Sequence, residues 1–306
     1  MNQRQKISVT IITGFLGAGK TTFINSLLKK YTNKQFALVE NEFGEVAIDT
    51  KLIKGVDASQ MFELKEGCIC CTITDEYELV LQELAERFPG VQHLLIETTG
   101  VAEPAGVIRP FFRDENLQKI YSYTGTVCIV DAINFKKEAE KELRNKQIAV
   151  ADQVLISKSE KLSLIEKEYL EKQINQINPF CEIRFYPLEN KEQFVLEDLS
   201  FRTKFYPDSA EKQMGHSNIS TKAFIFSEPL NKEKFTYWLS YTLDVYKNEI
   251  YRVKGILCFE NEPFEYVLQG VSGNYELNEG ENLVFENKSE IVFIGKLSEV
   301  DFTTNF

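Results

Sequence analysis

Nothing in the 306 residues approaches the roughly 18 consecutive apolar positions that a membrane-spanning helix needs. Positive charge is also scarce. Thirty-five Lys and Arg stand against 46 Asp and Glu, a net charge of −11, and no basic cluster interrupts the excess. Such a surface repels a phosphate backbone, which argues against nucleic acid as a partner. The opening MNQRQKISVTIITGF holds a short apolar run closed by Gly14, without the length or small-residue cleavage pattern of a secretory signal. The chain therefore reads as cytoplasmic, with no membrane partner, in a compartment that keeps thiols reduced. Of six cysteines, Cys128, Cys181 and Cys258 each stand alone in apolar surroundings and read as core residues. Histidine is limited to His93 and His216. Internal repeats and low-complexity tracts are missing as well.

What is present is the composition of a globular protein, 43% hydrophobic and 26% charged, long enough for two domains. KISVTIIT, FALVE, HLLIET, GTVCIVDA and DQVLISK are short apolar runs of the kind found in strands buried on both faces. TFINSLLKKY, YELVLQELAERF and LSLIEKEYLEKQINQI carry helical spacing. Their alternation predicts an α/β domain over residues 1–189, a mostly parallel sheet wrapped by helices. After EIRFYPL the pattern changes, and the polar stretch 190–218 reads as a linker. TKAFIFS, the helical KEKFTYWLSYTLDVY, and YRVKGILCFE, FEYVLQGV, NLVFEN and EIVFIGK then predict a smaller α+β domain over 219–306.

GFLGAGKTT follows the first strand and opens a helix. It matches G-x-x-x-x-G-K-T with Gly14, Gly19, Lys20 and Thr21 at the fixed positions and Gly17, Ala18 and Thr22 completing the loop. Glycines let successive backbone N–H groups face one centre, a nest for polyphosphate oxygens. Lys20 is assigned to the β/γ-phosphates, and the Thr21 hydroxyl to Mg²⁺. HLLIETTGVAEP supplies what else such a loop needs. Glu97, at a strand end, can reach the Mg²⁺ shell, and the N–H of Gly100 can sense a γ-phosphate. ENEFGEVAIDT, rich in acids, follows the second strand, though a solvated loop would look similar.

Three stretches together, GFLGAGKTT, ENEFGEVAIDT with ELKEGCICCT, and IETTGVAEP, resemble the CobW-type metal-chaperone GTPases, relatives of the HypB and UreG proteins. The resemblance runs on through IVDA, QIAVADQVLISK, RVKGIL and FIGKL, so it spans nearly the whole chain, and GCICC is its most specific element. It implies a P-loop GTPase domain of the SIMIBI class and a CobW-type C-terminal domain. It also implies slow hydrolysis of GTP and delivery of Zn²⁺, or of Co²⁺ or Ni²⁺, to a client metalloprotein. A nucleotide-dependent homodimer is left open.

Two features depart from the family pattern. Where the family reads guanine with Asn-Lys-x-Asp, this chain has Ser157, Lys158, Ser159 and Glu160. Lys158 keeps a stem to lie over the base, and Glu160 keeps the carboxylate. Ser157 is too short for the Asn contact, a loss of about 0.5–1.5 kcal/mol for one hydrogen bond. Weakened GTP preference is expected, and relaxed specificity toward ATP stays open. The His-rich stretch of many members is reduced to His216, and His93 reads as structural.

The remaining thiols, Cys68, Cys70 and Cys71, fall within four positions. Adjacent Cys70 and Cys71 would face opposite sides of a strand, so they join Cys68 around one ion only where the chain turns, which Gly67 permits. Three thiolates suit Zn²⁺ or Cu⁺ and leave one coordination position for Glu40, Glu42, Glu45, Glu66 or a thiol of the recipient. An incomplete shell suits a metal that must be given away. The cluster lies in sequence between the two segments expected to respond to nucleotide, so Mg·GTP should remake its geometry, and metal should alter nucleotide affinity in return. A thiol redox sensor would use the same cysteines, and a P-loop kinase the same phosphate loop. No water-positioning Gln near Gly100 and no arginine finger is recognisable, so turnover of roughly 10⁻³ s⁻¹ or below is expected.

Overall fold

A computed structural model of the chain describes residues 5–41, 74–137, 141–186, 219–284 and 287–303. These fall into two compact units, each built on its own sheet. The first sheet holds β1 (Ile7–Thr13), β2 (Phe36–Asn41), β3 (His93–Thr98), β4 (Tyr121–Asp131), β5 (Gln153–Ser157) and β6 (Glu182–Phe185). All pairings are parallel, in the order β2-β3-β1-β4-β5-β6. Parallel neighbours require crossovers, and these are supplied by α1 (Lys20–Lys30), α2 (Thr74–Arg87), the short α3 (Ala105–Ile108), α4 (Pro110–Arg113) and α5 (Glu115–Ile120), α6 (Lys141–Ala149) and α7 (Leu164–Ile177).

The core explains the apolar runs. β1 and β5 are buried at nearly every position, as strands covered on both faces must be. α1 places Phe23, Ile24, Leu27 and Leu28 on one side, where they pack with Ile12, Leu38, Leu95, Val127, Ile129 and Leu155. Each such side chain contributes about 1.5–3 kcal/mol by burial. Tyr186 closes this cluster, its hydroxyl 2.8 Å from Ser26 Oγ and its ring edge-on to Phe23 at 5.6 Å. Cys128, Cys181 and Cys258 are buried and in no disulfide, the core placement read from sequence.

The strand order turns back on itself at β1, which lies between β3 and β4, and a crevice at the carboxyl ends follows from that topology. Register decides what faces it. Ile12 pairs with Glu97, Thr13 with Cys128, and Asp131 with Ser157. The loop after β1, Glu97, Asp131 and Ser157 therefore finish along one edge.

The second unit is a five-stranded antiparallel sheet of β7 (Ser220–Phe226), β8 (Ile250–Leu257), β9 (Phe264–Val271), β10 (Asn274–Leu283) and β11 (Ser289–Gly295), in the order β10-β9-β8-β11-β7. Helix α8 (Lys232–Val245) buries Phe235, Leu239 and Leu243 with Val253, Leu268, Ile291 and Phe293. Its Tyr237 and Tyr241 are exposed, so YWLSYTLDVY is core on one face only. One strand differs from the sequence reading. NLVFEN overlaps only the end of β10, whose body is the polar NYELNEGE. An edge strand needs a single packed face, and Tyr275 and Leu277 provide it. The turn into it uses Ser272 and Gly273 with φ of 43° and 92°, the left-handed pair of a two-residue hairpin. Among the described residues no helix is long and apolar enough to cross a membrane.

Candidate nucleotide-binding site

The loop after β1 is turned as a phosphate cradle requires. Gly14, Gly17 and Gly19 have φ of 139°, 72° and 103°, values that L side chains rarely adopt. Gly14 is also pressed against β4, where an added Cβ would lie 2.2 Å from the Ile129 carbonyl oxygen. The Ala18 N–H donates to Phe15 O at 3.1 Å, which tightens the turn into α1. No acid occupies the first turn of α1, so its positive end faces the loop without an internal counter-charge.

Lys20 begins that helix and is 8% exposed. Its Nζ donates to Gly14 O at 2.9 Å and Phe15 O at 3.5 Å, which holds the ammonium over the loop. Burial pulls its pKa below the ordinary lysine value, and the nearby Glu97 carboxylate offsets part of that. Thr21 Oγ1 donates to the Glu97 carboxylate at 3.2 and 3.5 Å. One residue on, Thr98 Oγ1 donates to Thr13 Oγ1 at 3.0 Å in the buried sheet and fixes the end of β3 against β1. Gly100 follows in close contact with the tip of the loop, where a Cβ would sit 2.4 Å from Leu16 N. Lys20, Thr21, Glu97 and Gly100, assigned from sequence alone, thus converge.

The turn after β5 joins the same loop from the other side. Ser157 is fully buried, and its Oγ donates to Ala18 O at 2.7 Å, with Val130 O at 3.3 Å. Lys158, at φ 55°, donates from Nζ to Gly17 O at 2.8 Å and to Asp131 Oδ2 at 2.7 Å. Two of the three residues assigned to the base therefore tie the phosphate loop to β5, while Glu160 stays exposed on the same turn. Asp131 was not singled out from sequence. It accepts from the N–H groups of Ile133 and Asn134 at 2.8 and 3.2 Å and from Asn134 Nδ2 at 2.7 Å. Burial pushes its pKa up, but the hydrogen bonds from Lys158 and Asn134 outweigh that and hold the carboxyl below its ordinary value. The available signal was its place at the end of a buried strand.

Cys68, Cys70 and Cys71, with Glu42, Glu45 and Glu66, lie outside the described residues, as do the stretch 190–218 and His216. Glu40 is on β2, paired in register with Glu97. His93 is buried, its Nε2 2.8 Å from Thr10 Oγ1, the structural role read for it. Among the described residues no three His, Cys, Asp or Glu side chains gather as a metal site.

A phosphate loop between a parallel β-strand and its helix, with a strand-end carboxylate beside the loop threonine, defines a P-loop NTPase. Residues 8–184 match the CobW/HypB/UreG nucleotide-binding domain, and residues 219–304 the cobalamin synthesis protein cobW C-terminal domain, so the chain belongs to the CobW family. The zinc chaperone YjiA of Escherichia coli (strain K12) is 32% identical over 284 residues, 88% of this chain and 87% of that one. Zinc-regulated GTPase metalloprotein activator 1 of Saccharomyces cerevisiae is 24% identical over 355 residues, 98% of this chain and 82% of that one. The crystal structure of the Zn(II)-bound YjiA GTPase from E. coli superposes with a TM-score of 0.66 at 27% identity, covering 96% of this chain and 95% of that one. A triple mutant of that GTPase, with one glutamate and two consecutive cysteines replaced by alanine, is also Zn(II)-bound and superposes at 0.65 with 26% identity and the same coverage.

Proposed function

We propose that this protein is a slow GTPase that takes Zn²⁺ as cargo on Cys68, Cys70 and Cys71 and hands it to a client protein under nucleotide control. The observation that carries the reading is the convergence of Lys20, Thr21 and Glu97 on a loop already turned for phosphate. The relatives named as zinc chaperone and as GTPase metalloprotein activator support the metal half.

The residues present fit Mg²⁺. The Thr21 hydroxyl and the Glu97 carboxylate are hard oxygen donors already in contact, and Mg²⁺ needs few such protein ligands beside phosphates and water. When bound, the ion offsets charge on the β- and γ-phosphates. Lys20 exchanges its two backbone carbonyls for phosphate oxygens, a gain in charge-assisted hydrogen bonding. The Gly100 N–H binds the γ-phosphate and lets go after hydrolysis. Ser157 and Lys158 keep the loop registered against the base turn, and Glu160 accepts from guanine. With Ser157 spent on Ala18, guanine loses a contact, so preference over ATP rests mainly on Glu160.

Zinc is retained in the E. coli triple mutant, so a bulk zinc count does not test the thiolates. The test is competition for Zn²⁺ against a chromophoric chelator, using fully reduced wild type and the variant with Cys68, Cys70 and Cys71 all changed to Ser. One tight equivalent is expected in the wild type, weakened at least about 100-fold in the variant, with GDP affinity preserved; that ratio is about 2.7 kcal/mol. Equal zinc affinity in both would remove the thiolate site from the account.

A further inference from the structure

We propose that Gln147 is a positioning residue for GTP, holding the Gly100 loop against the phosphate loop so that the Gly100 N–H meets a γ-phosphate already oriented. This inference rests on the GTPase reading above. Gln147 lies on α6 within the run QIAVA and has 0% of its surface exposed. Its Nε2 is shared between Gly100 O at 3.3 Å and Ala102 O at 3.4 Å. Its Oε1 has no hydrogen-bond partner among the described residues.

A fully buried position that served only to fill space would favour an apolar side chain, because a buried unpartnered carbonyl carries a desolvation penalty. The amide is explained by its donors, and both go to one loop. Gly100 has no side chain to be held by, so its carbonyl is the available handle. The neighbouring residue adds a second grip, since Lys146 is paired with Glu103 at the far end of the same loop. One turn earlier on the same face of α6, Arg144 donates to Phe135 O and lies 4.3 Å from the Phe135 ring. The helix is thereby anchored to the segment after β4, which follows Asp131 and includes Asn134 and Phe135. Gln147 thus grips the loop from a fixed support. Removing that grip leaves a loop that must be ordered by the nucleotide itself. The cost falls on GTP, because GDP has no γ-phosphate for Gly100 to bind.

The test compares affinities for a Mg·GTP analogue and for Mg·GDP in the wild type, Gln147→Met and Gln147→Glu. Gln147→Met keeps the length and removes both donors. It should bind the GTP analogue about tenfold more weakly, equivalent to about 1.4 kcal/mol, with GDP within about twofold of wild type. Gln147→Glu has no donor when ionised and regains one when protonated, and burial raises its pKa. Its preference for the GTP analogue should therefore recover as pH falls. Cys128, Asp131, Arg144, Lys137, Lys146 and Glu103 stand around this position in all three proteins, so their titration appears equally in the wild type and in Gln147→Met. Should Gln147→Met fail to fold, the pH profile of Gln147→Glu decides. Equal weakening of both nucleotides, no change in either, or a flat Gln147→Glu profile would overturn the role. A wild type that binds neither nucleotide would instead sink the GTPase reading, and this inference with it.

Discussion

Gly100→Ala is expected to weaken binding of a Mg·GTP analogue by about 100-fold and to lower the melting temperature. The added Cβ would lie 2.4 Å from Leu16 N and 2.7 Å from both Leu16 Cα and Cγ. Two of those three neighbours are backbone atoms of the phosphate loop, so no rotamer change relieves the contact. Either the loop tip or the segment after β3 has to move, and overpacking of this kind costs about 1–3 kcal/mol. The Gly100 N–H then misses the γ-phosphate, and a hydrogen bond to a charged group contributes about 1.5–3 kcal/mol. The overpacking lowers the melting temperature, and the lost hydrogen bond by itself accounts for the 100-fold figure, about 2.7 kcal/mol. GDP should lose less, because it needs the loop but not the Gly100 N–H. Isothermal titration with both nucleotides separates the two. Unchanged affinity for the GTP analogue would mean that Gly100 does not touch the γ-phosphate.

Lys20→Met should do the reverse to stability and more to binding. Burial holds the Lys20 pKa below the ordinary value of 10.5, so the folded state disfavours the charged amine. The sign follows from the depressed lysine pKa. The destabilisation is fully present below the folded pKa and disappears as pH rises past the unfolded value. At neutral pH, replacing the ammonium by a methionine of similar reach should therefore leave the nucleotide-free melting temperature unchanged or higher. Mg·GDP and a Mg·GTP analogue should then give little of the stabilisation that wild type gains from ligand, since that gain scales with RT ln(1 + [L]/Kd). A loss of at least about 100-fold in affinity is expected from the charge-assisted contacts removed. A thermal shift series with and without nucleotide reads both quantities. A variant that is destabilised without ligand yet still stabilised by nucleotide would show that Lys20 serves packing rather than phosphate.

The phosphate loop was legible in sequence because its geometry is local: the glycines at positions 14, 17 and 19 and the lysine that follows are within seven residues. Glu97 and Gly100 were legible because a buried strand announces its own end. HLLIET and FEYVLQGV coincide with β3 and β9. The strand β10 was not, since an edge strand with one packed face alternates polar residues that read as a loop. The short helices α3, α4 and α5 are too brief to show a period. Asp131 and Gln147 escaped for a different reason. Lys158 is 27 residues from Asp131, and Gly100 is 47 from Gln147, so each pairing exists only once the sheet has formed. Ser157 is the instructive case. Its departure from the family pattern was visible, but not that its hydroxyl turns to Ala18 O, so that the substitution keeps the loop tethered.

In the proposed function the nucleotide site is coupled to the three thiols, which lie in sequence between β2 and α2. The β2 flank bears on nucleotide chemistry, since β2 is hydrogen-bonded to β3, the strand that follows α2 and carries Glu97 to Thr21. Coupling in either direction must have the same magnitude. The most direct measurement is the zinc competition titration of fully reduced wild type, performed once with a Mg·GTP analogue and once with Mg·GDP. The account predicts one tight equivalent whose affinity differs at least about tenfold between the two, a coupling of about 1.4 kcal/mol. The same zinc affinity in both nucleotide states would contradict it, leaving a GTPase and a metal site with no link between them.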